Sequence, residues 1–249
     1  MQSSIFNNTV TQSQERYVLQ TPQMLRVDLS DGEDVVARTG SMVAYEGLID
    51  FDGEYQSQGQ RSQQFATGEV LPLMRCSGQG VVYLANLAQH IHVMEVDHEG
   101  LTVDSSYVLA LDAHLHWEVI SVESQYGIPG VGAYNLVISG QGKVAITTSG
   151  PPLAMQVTQD RFCSADADAV VAWSTGLRVQ MQAQTASHSL WRRRGNTGEG
   201  WELNFMGDGY VVVQPSELLP PQTGPQSGLM GQFRQQEGTP GLNQRGAWG

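Results

Sequence analysis

Three Gly-x-Gly steps, spaced 62 and 67 residues apart, each open a stretch of alternating apolar residues. Ser77-Gly78-Gln79-Gly80 leads into Val81-Val82-Tyr83-Leu84, and Ser139-Gly140-Gln141-Gly142 into Lys143-Val144-Ala145-Ile146. Met206-Gly207-Asp208-Gly209 leads into Tyr210-Val211-Val212-Val213. In each copy the second and fourth residues after the second glycine are aliphatic: Val82 and Leu84, Val144 and Ile146, Val211 and Val213. The residues Val81, Lys143 and Tyr210 vary. A strand sends alternate side chains to opposite faces, so the recurring set is expected to be buried and the varying set is not. Such recurrence constrains architecture before any single residue does. The glycines themselves are expected where a strand starts after a tight turn, with positive φ or a neighbouring backbone pressed close.

Other segments also read as strands: Met24 to Leu29, Val35 to Arg38 after an Asp31-Gly32 turn, and Ile91 to Val96. A turn at His98-Glu99-Gly100 precedes Leu101 to Val103, and Leu153 to Thr158 and Leu177 to Met181 follow. No segment sustains a helical period. The best candidates, Ser106 to Asp112 and Asp166 to Trp173, have room for a turn or one winding. A shift of 62 residues also pairs Asp104 with Asp166, Val108 with Val170, Ala110 with Ala172, Leu115 with Leu177 and Val119 with Met181. The expected units are therefore about residues 24–87, 90–148 and 153–215, the first half of the opening unit matching only loosely. The fold class is all-β: three short double-stranded β-helix or sandwich-like units in a pseudo-threefold arrangement, forming one core over residues 1–217. Residues 218–249, rich in Gly, Pro and Gln, are expected to be a disordered tail, with Leu229, Met230, Phe233 and Trp248 as its sticky groups.

Composition narrows the function classes. A chain of 249 residues buries about 70–75% of its extended surface and needs no covalent staple. Its two cysteines, Cys76 and Cys163, show no metal-ribbon spacing and read as buried thiols of a reducing compartment. Residues Met1 to Val10 are polar, without a basic or an apolar stretch, and no run approaches the roughly 20 apolar residues of a membrane span. A cytoplasmic location is expected. The net charge is −12, with Lys143 the single lysine, so the long-range field opposes DNA, RNA and anionic lipid.

The provocative polar features are two His-x-His pairs, His90-Ile91-His92 and His114-Leu115-His116. Residues two apart on a strand share a face, so each pair is a candidate for presenting two imidazoles to one metal, with Glu95, His98 and Glu118 nearby. Cupin folds bind metal through such a pair, but the glutamate spacing and the later histidine of that pattern are missing here. Strand histidines held by hydrogen bonds are the plainer reading. Trp191-Arg192-Arg193-Arg194 is the one basic cluster; on so acidic a chain it is expected to pair with carboxylates rather than with RNA. There is no Gly-x-Ser-x-Gly elbow, no P-loop and no dinucleotide fingerprint, and Asp166 with Asp168 falls where Asp favours turns. No catalytic residue and no cofactor are expected.

Arg38-Thr39-Gly40-Ser41-Met42-Val43 resembles the Gly-Ser-Met signature of the altered-inheritance-of-mitochondria protein 24 family. Gly78-x-Gly80-x-Val82-Tyr83-Leu84-Ala85, Ala169-Val170-Val171-Ala172-Trp173 and Gly207-x-Gly209 with Gln214-Pro215-Ser216 fit it too, so the resemblance spans about Met24 to Ser216. It implies a fold like that of the tryptophan RNA-binding attenuator protein, with three double-stranded β-helices per chain, and a family without an assigned activity. It supplies no catalytic or ligand residues. The leading expectation is thus a non-enzymatic interaction or assembly protein that self-associates or binds a protein partner. The alternative is a cupin-like metal-binding enzyme or small-molecule sensor using His90, His92, His114 and His116; an RNA binder comes third.

Overall fold

Alternation along the chain becomes strand after strand. The computed structural model describes residues 3, 4, 9–11, 13–53, 72–97, 99–123, 132–183 and 201–215. The expected tail, 218–249, lies outside them. The first five strands are β1 (Tyr17–Thr21), β2 (Met24–Asp28), β3 (Val35–Arg38), β4 (Met42–Asp52) and β5 (Leu73–Leu84). The next six are β6 (His90–Val96), β7 (Leu101–Asp104), β8 (Val108–Asp112), β9 (His116–Glu123), β10 (Gly132–Ser139) and β11 (Gly142–Thr148). The last six are β12 (Leu153–Val157), β13 (Cys163–Asp166), β14 (Val170–Ser174), β15 (Arg178–Ala183), β16 (Trp201–Met206) and β17 (Gly209–Val213). The two short candidates hold a winding and a turn, as expected: Ser105–Tyr107 forms one 3-10 turn before β8, and residues 167–169 turn between β13 and β14. Among the described residues no helix is long and apolar enough to cross a membrane.

The strands form sheets of eight, six and three members. Their orders are β1-β2-β5-β3-β8-β11-β6 with β4 also on β5, then β12-β17-β14-β7-β10-β9, then β13-β16-β15. The eight-stranded sheet nearly closes, because Ile91 N–H donates to Pro22 O at 2.8 Å in the turn between β1 and β2.

One pairing pattern recurs. β11 lies between β6 and β8, β17 between β12 and β14, and the second half of β5 between β2 and the first half of β4. In all three places one residue bulges from the ladder: Val43 in β4, Leu109 in β8 and Val171 in β14. The residues at the 62-residue offset share local roles as well. Asp104 accepts from Ser106 N–H and Asp166 from Asp168 N–H, each at 2.8 Å.

Two antiparallel joins link these groups of strands. In the first, β3 pairs with β8, Val36 opposite Leu111; in the second, β7 pairs with β14, Thr102 opposite Trp173. No third join of this kind is formed among the described residues, so the pairing does not establish a pseudo-threefold ring.

The opening strands differ from their counterparts by running on without a break. Where β10 and β11 are separated at Gly140-Gln141, β5 continues through Gly78 and Gly80 for 12 residues. The strand start expected at those two glycines is therefore absent, and close approach is the reason they are glycine. Gly47 sits opposite Gly80, and Ile49 opposite Gly78. A Cβ on Gly78 would lie 2.2 Å from Leu48 O, and φ there is +119°. Only a residue lacking Cβ lets the two backbones close at this spacing.

Three hydrophobic clusters follow from the joins. The first gathers Leu25, Val27, Val35, Cys76 and Val82 with Leu109 and Ala110 from β8. The second gathers Val103, Leu111, Leu136 and Val144 with Val171 and Ala172 from β14. The third holds Cys163, Trp173, Met181, Leu203, Phe205 and Val211. Val82, Val144 and Val211 are fully buried, as their spacing predicts. Tyr83 and Ala145 on the opposite face are buried as well, because other layers cover both sides of these strands. Both cysteines are free and buried, and burial pushes the Cys76 thiol up to about 12.

Polar groups knit the first join. Arg38 Nε donates to Val108 O at 2.9 Å, and its Nη2 to Ser105 O at 2.7 Å and Ser106 O at 2.8 Å. Burial pulls the Arg38 pKa down, opposed by the Asp104 carboxylate. Tyr107 continues the network: Gln214 Nε2 donates to its hydroxyl at 2.8 Å, and Gln214 Oε1 accepts from Ser149 N–H at 2.9 Å.

Two outcomes are expected. Gly78→Val forces β4 from β5 and strains the backbone, costing about 3 kcal/mol or more. At about 2–4 °C per kcal/mol, thermal melting should fall by roughly 6–12 °C; an unchanged midpoint would refute the close-approach account. Arg38→Met strands three carbonyls that now receive charge-assisted bonds, so urea unfolding should show a loss of about 3 kcal/mol or more. A loss under about 1 kcal/mol would show that the network contributes little.

Candidate functional site

The histidines come first, because the sequence singles them out. His90 and His92 lie at the start of β6, opposite Thr148 and Ile146 of β11. His92 Nε2 is 3.0 Å from Thr148 Oγ1, and burial lowers its pKa, with His90 adding repulsion. His114 stands at the other end of β11, in the turn after β8, where its Nε2 donates to Gln141 O at 2.8 Å. His116 begins β9, exposed, opposite Ser139. The length of β11 separates the two pairs, about 20 Å at 3.3 Å per residue. The structure brings His90 and His92 together and keeps them apart from His114 and His116. Among the described residues no three His, Cys, Asp or Glu side chains converge on a point suited to a metal ion. His98 and the cluster Trp191 to Arg194 lie outside the described residues.

A different feature stands out. Every residue of β4 from Met42 to Leu48 is exposed, whereas all five residues of β8 and four of the five in β14 are buried. Val43 is 52% exposed, Tyr45 51% and Leu48 83%. Their counterparts by pairing, Leu109 for Val43 and Leu111 for Tyr45, are fully buried. Among the described residues β4 pairs only with β5, so its outer edge carries no strand there, beside this apolar patch. Glu46 is the single charge between Met42 and Ile49, and it accepts from Tyr83 O–H at 3.0 Å. Long apolar edges are usually blunted by Lys, Pro or a covering loop.

The Gly-Ser-Met signature sets the corner that launches this strand. Gly40 adopts φ +84°. Ser41 is buried; its Oγ donates to Arg38 O at 2.7 Å, and its carbonyl accepts from Ala85 N–H at 2.9 Å. The motif is thus structural in its serine and leaves Met42 and Val43 facing outward.

Sequence reasoning did not single out Val43, Tyr45 or Leu48. The signal was there at a different offset: shifting Val108 to Leu111 by 66 residues gives Met42 to Tyr45, each stretch β-prone and largely apolar. Because the glycine steps use an offset of 62, one fixed shift cannot find both.

Comparison with known proteins bears on identity. None of the curated proteins matches the chain. Among solved structures, the crystal structure of protein SPYM3_0169 from Streptococcus pyogenes is similar, with 20% sequence identity and a TM-score of 0.64. The match covers 80% of this chain and 92% of that one, and at this identity it shows a shared fold alone. The fold likeness to the attenuator protein stays an expectation of the sequence. The family described as mitochondrial biogenesis AIM24 matches residues 17–216, the whole of the strand-bearing region. This chain belongs to the AIM24 family.

Proposed function

We propose that this protein is a non-enzymatic interaction or assembly protein of the cytoplasm that acts through the outer edge and face of β4. The observation that carries this reading is the contrast between β4 and its counterparts: one pattern, buried twice and bare once. Burying a large apolar side chain stabilises by roughly 1.5–3 kcal/mol, so Val43, Tyr45 and Leu48 together favour association strongly. An unpaired edge adds backbone hydrogen bonds to any strand that docks there. The net charge of −12 favours a protein occupant over nucleic acid. The metal reading has no comparable support, since the histidine pairs stand at opposite ends of β11.

Sedimentation of the purified chain over a range of concentrations tests the reading. The native chain should associate, and Val43→Glu with Tyr45→Glu should weaken association at least ~10-fold, the equivalent of ~1.4 kcal/mol. Both positions are exposed, so the melting temperature should hold within about 2 °C. A chain that stays monomeric at every concentration and purifies without a stoichiometric protein partner would contradict the proposal.

A further inference from the structure

We propose that β4 is occupied by β13 of a second copy of this chain, which completes between molecules the join that the chain makes twice within itself. This rests on the assembly reading above and names its partner.

The register identifies the occupant. Tyr45, Leu111 and Trp173 stand opposite Val82, Val144 and Val211, each two residues after the second glycine of its step. Val36, Thr102 and Ser164 stand opposite Arg75, Val137 and Asn204, which the same 62- and 67-residue spacings relate. Val36 already pairs with Leu111, and Thr102 with Trp173. Of these two sets only Ser164 and Tyr45 have no join of this kind, and both lie on outer edges of their sheets. Carrying the register across places Cys163 opposite Glu46, Ser164 opposite Tyr45 and Ala165 opposite Ala44. Each existing join also extends by one bond, from Ala113 N–H to Asp34 O at 3.2 Å and from Thr175 N–H to Gly100 O at 3.5 Å. The counterpart bond runs from Gly47 N–H to Phe162 O. It would set Phe162 beside Leu48, and these are the two most exposed large hydrophobic residues among those described, at 72% and 83%.

The cores point the same way. The first cluster is plugged by Leu109 and Ala110 of the strand that joins it, and the second by Val171 and Ala172. The third contains Cys163 and Phe205 but no residue from β4. Val43 and Ala44 are the matching plug, the bulged residue and the alanine after it. The chain's own β4 and β13 are both described and remain unpaired with each other, so a neighbouring molecule supplies the strand. The contact joins unlike surfaces, head to tail, and closes once every β13 has found a β4; two copies are the smallest such ring.

Disulfide trapping between chains tests this. Residues opposite each other in an antiparallel pair have Cα atoms about 4.5–5.5 Å apart, within disulfide reach. Full-length Tyr45→Cys and Ser164→Cys variants are mixed, oxidised mildly and mapped by mass spectrometry, with each variant alone and the native chain as controls. The expected result is a 45–164 link between the two chains in the mixture, at least tenfold above any control. Two results would overturn the proposal. One is a double variant that forms the link only within a single chain when dilute, showing that the molecule closes on itself. The other is sedimentation showing oligomers while no 45–164 link forms, which moves the interface elsewhere and leaves the assembly reading standing. A native chain that is monomeric throughout removes both.

Discussion

The contact on which the rest of the structure depends is an antiparallel strand entering the edge of the sheet before it, with one bulged residue driven into that sheet's core. Leu109 and Ala110 do this for the first cluster, and Val171 and Ala172 for the second. A bulge inserts one extra residue and sharpens the local twist, so the strand leaves the ladder in a new direction. That geometry lets one short strand link two groups of strands within a single sheet, pairing with its own group on one edge and its predecessor on the other. It also accounts for complete burial of β8, which has hydrogen-bonded neighbours on both edges and packed cores on both faces.

The same arrangement explains why the opening strands look unlike the rest. Here Gly47, Gly78 and Gly80 let β4 and β5 cross at close range and stay continuous, whereas the later glycine steps pack against turns, Gly140 and Gly142 beside Leu115, and Gly207 and Gly209 beside Leu177. Continuity gives β4 its length of 11 residues and keeps Leu48 on the exposed stretch of the strand, opposite Gln79. Backbone closeness and surface exposure thus have one cause. The Arg38 fork, bonded to three carbonyls around the Ser105–Tyr107 turn, then fixes how the opening strands sit on the next group.

Much of this was legible in the residues. Val35 to Arg38 reads as a strand and is one, with the same limits, because a turn at Asp31-Gly32 precedes it and Gly40 ends it. Burial at Val82, Val144 and Val211 follows from period-two alternation. Asp104 and Asp166, matched by offset, make the same turn. The segments Ser106 to Asp112 and Asp166 to Trp173 were harder, because a turn followed by a fully buried strand shows no alternation to read. The exposed surface was hardest. Val43 and Tyr45 have the composition of core residues, and nothing local distinguishes an apolar strand that is covered from one whose cover is missing. That distinction belongs to tertiary structure. For the histidines, spacing offers two imidazoles within each pair, and only tertiary structure places the two pairs at opposite ends of β11.

Membership of the AIM24 family accounts for the order of the motifs, and the geometry accounts for what those motifs do: they shape corners, crossings and joins. Hydrogen exchange at the outward amides of Tyr45 and Gly47, counterparts of Leu111 and Ala113, tests most directly that the third join is made between molecules. The account predicts fast exchange in dilute protein and slowing as concentration rises, while Leu111 stays protected throughout. Protection of Tyr45 and Gly47 equal to that of Leu111 at every dilution, or none at any concentration, would contradict it.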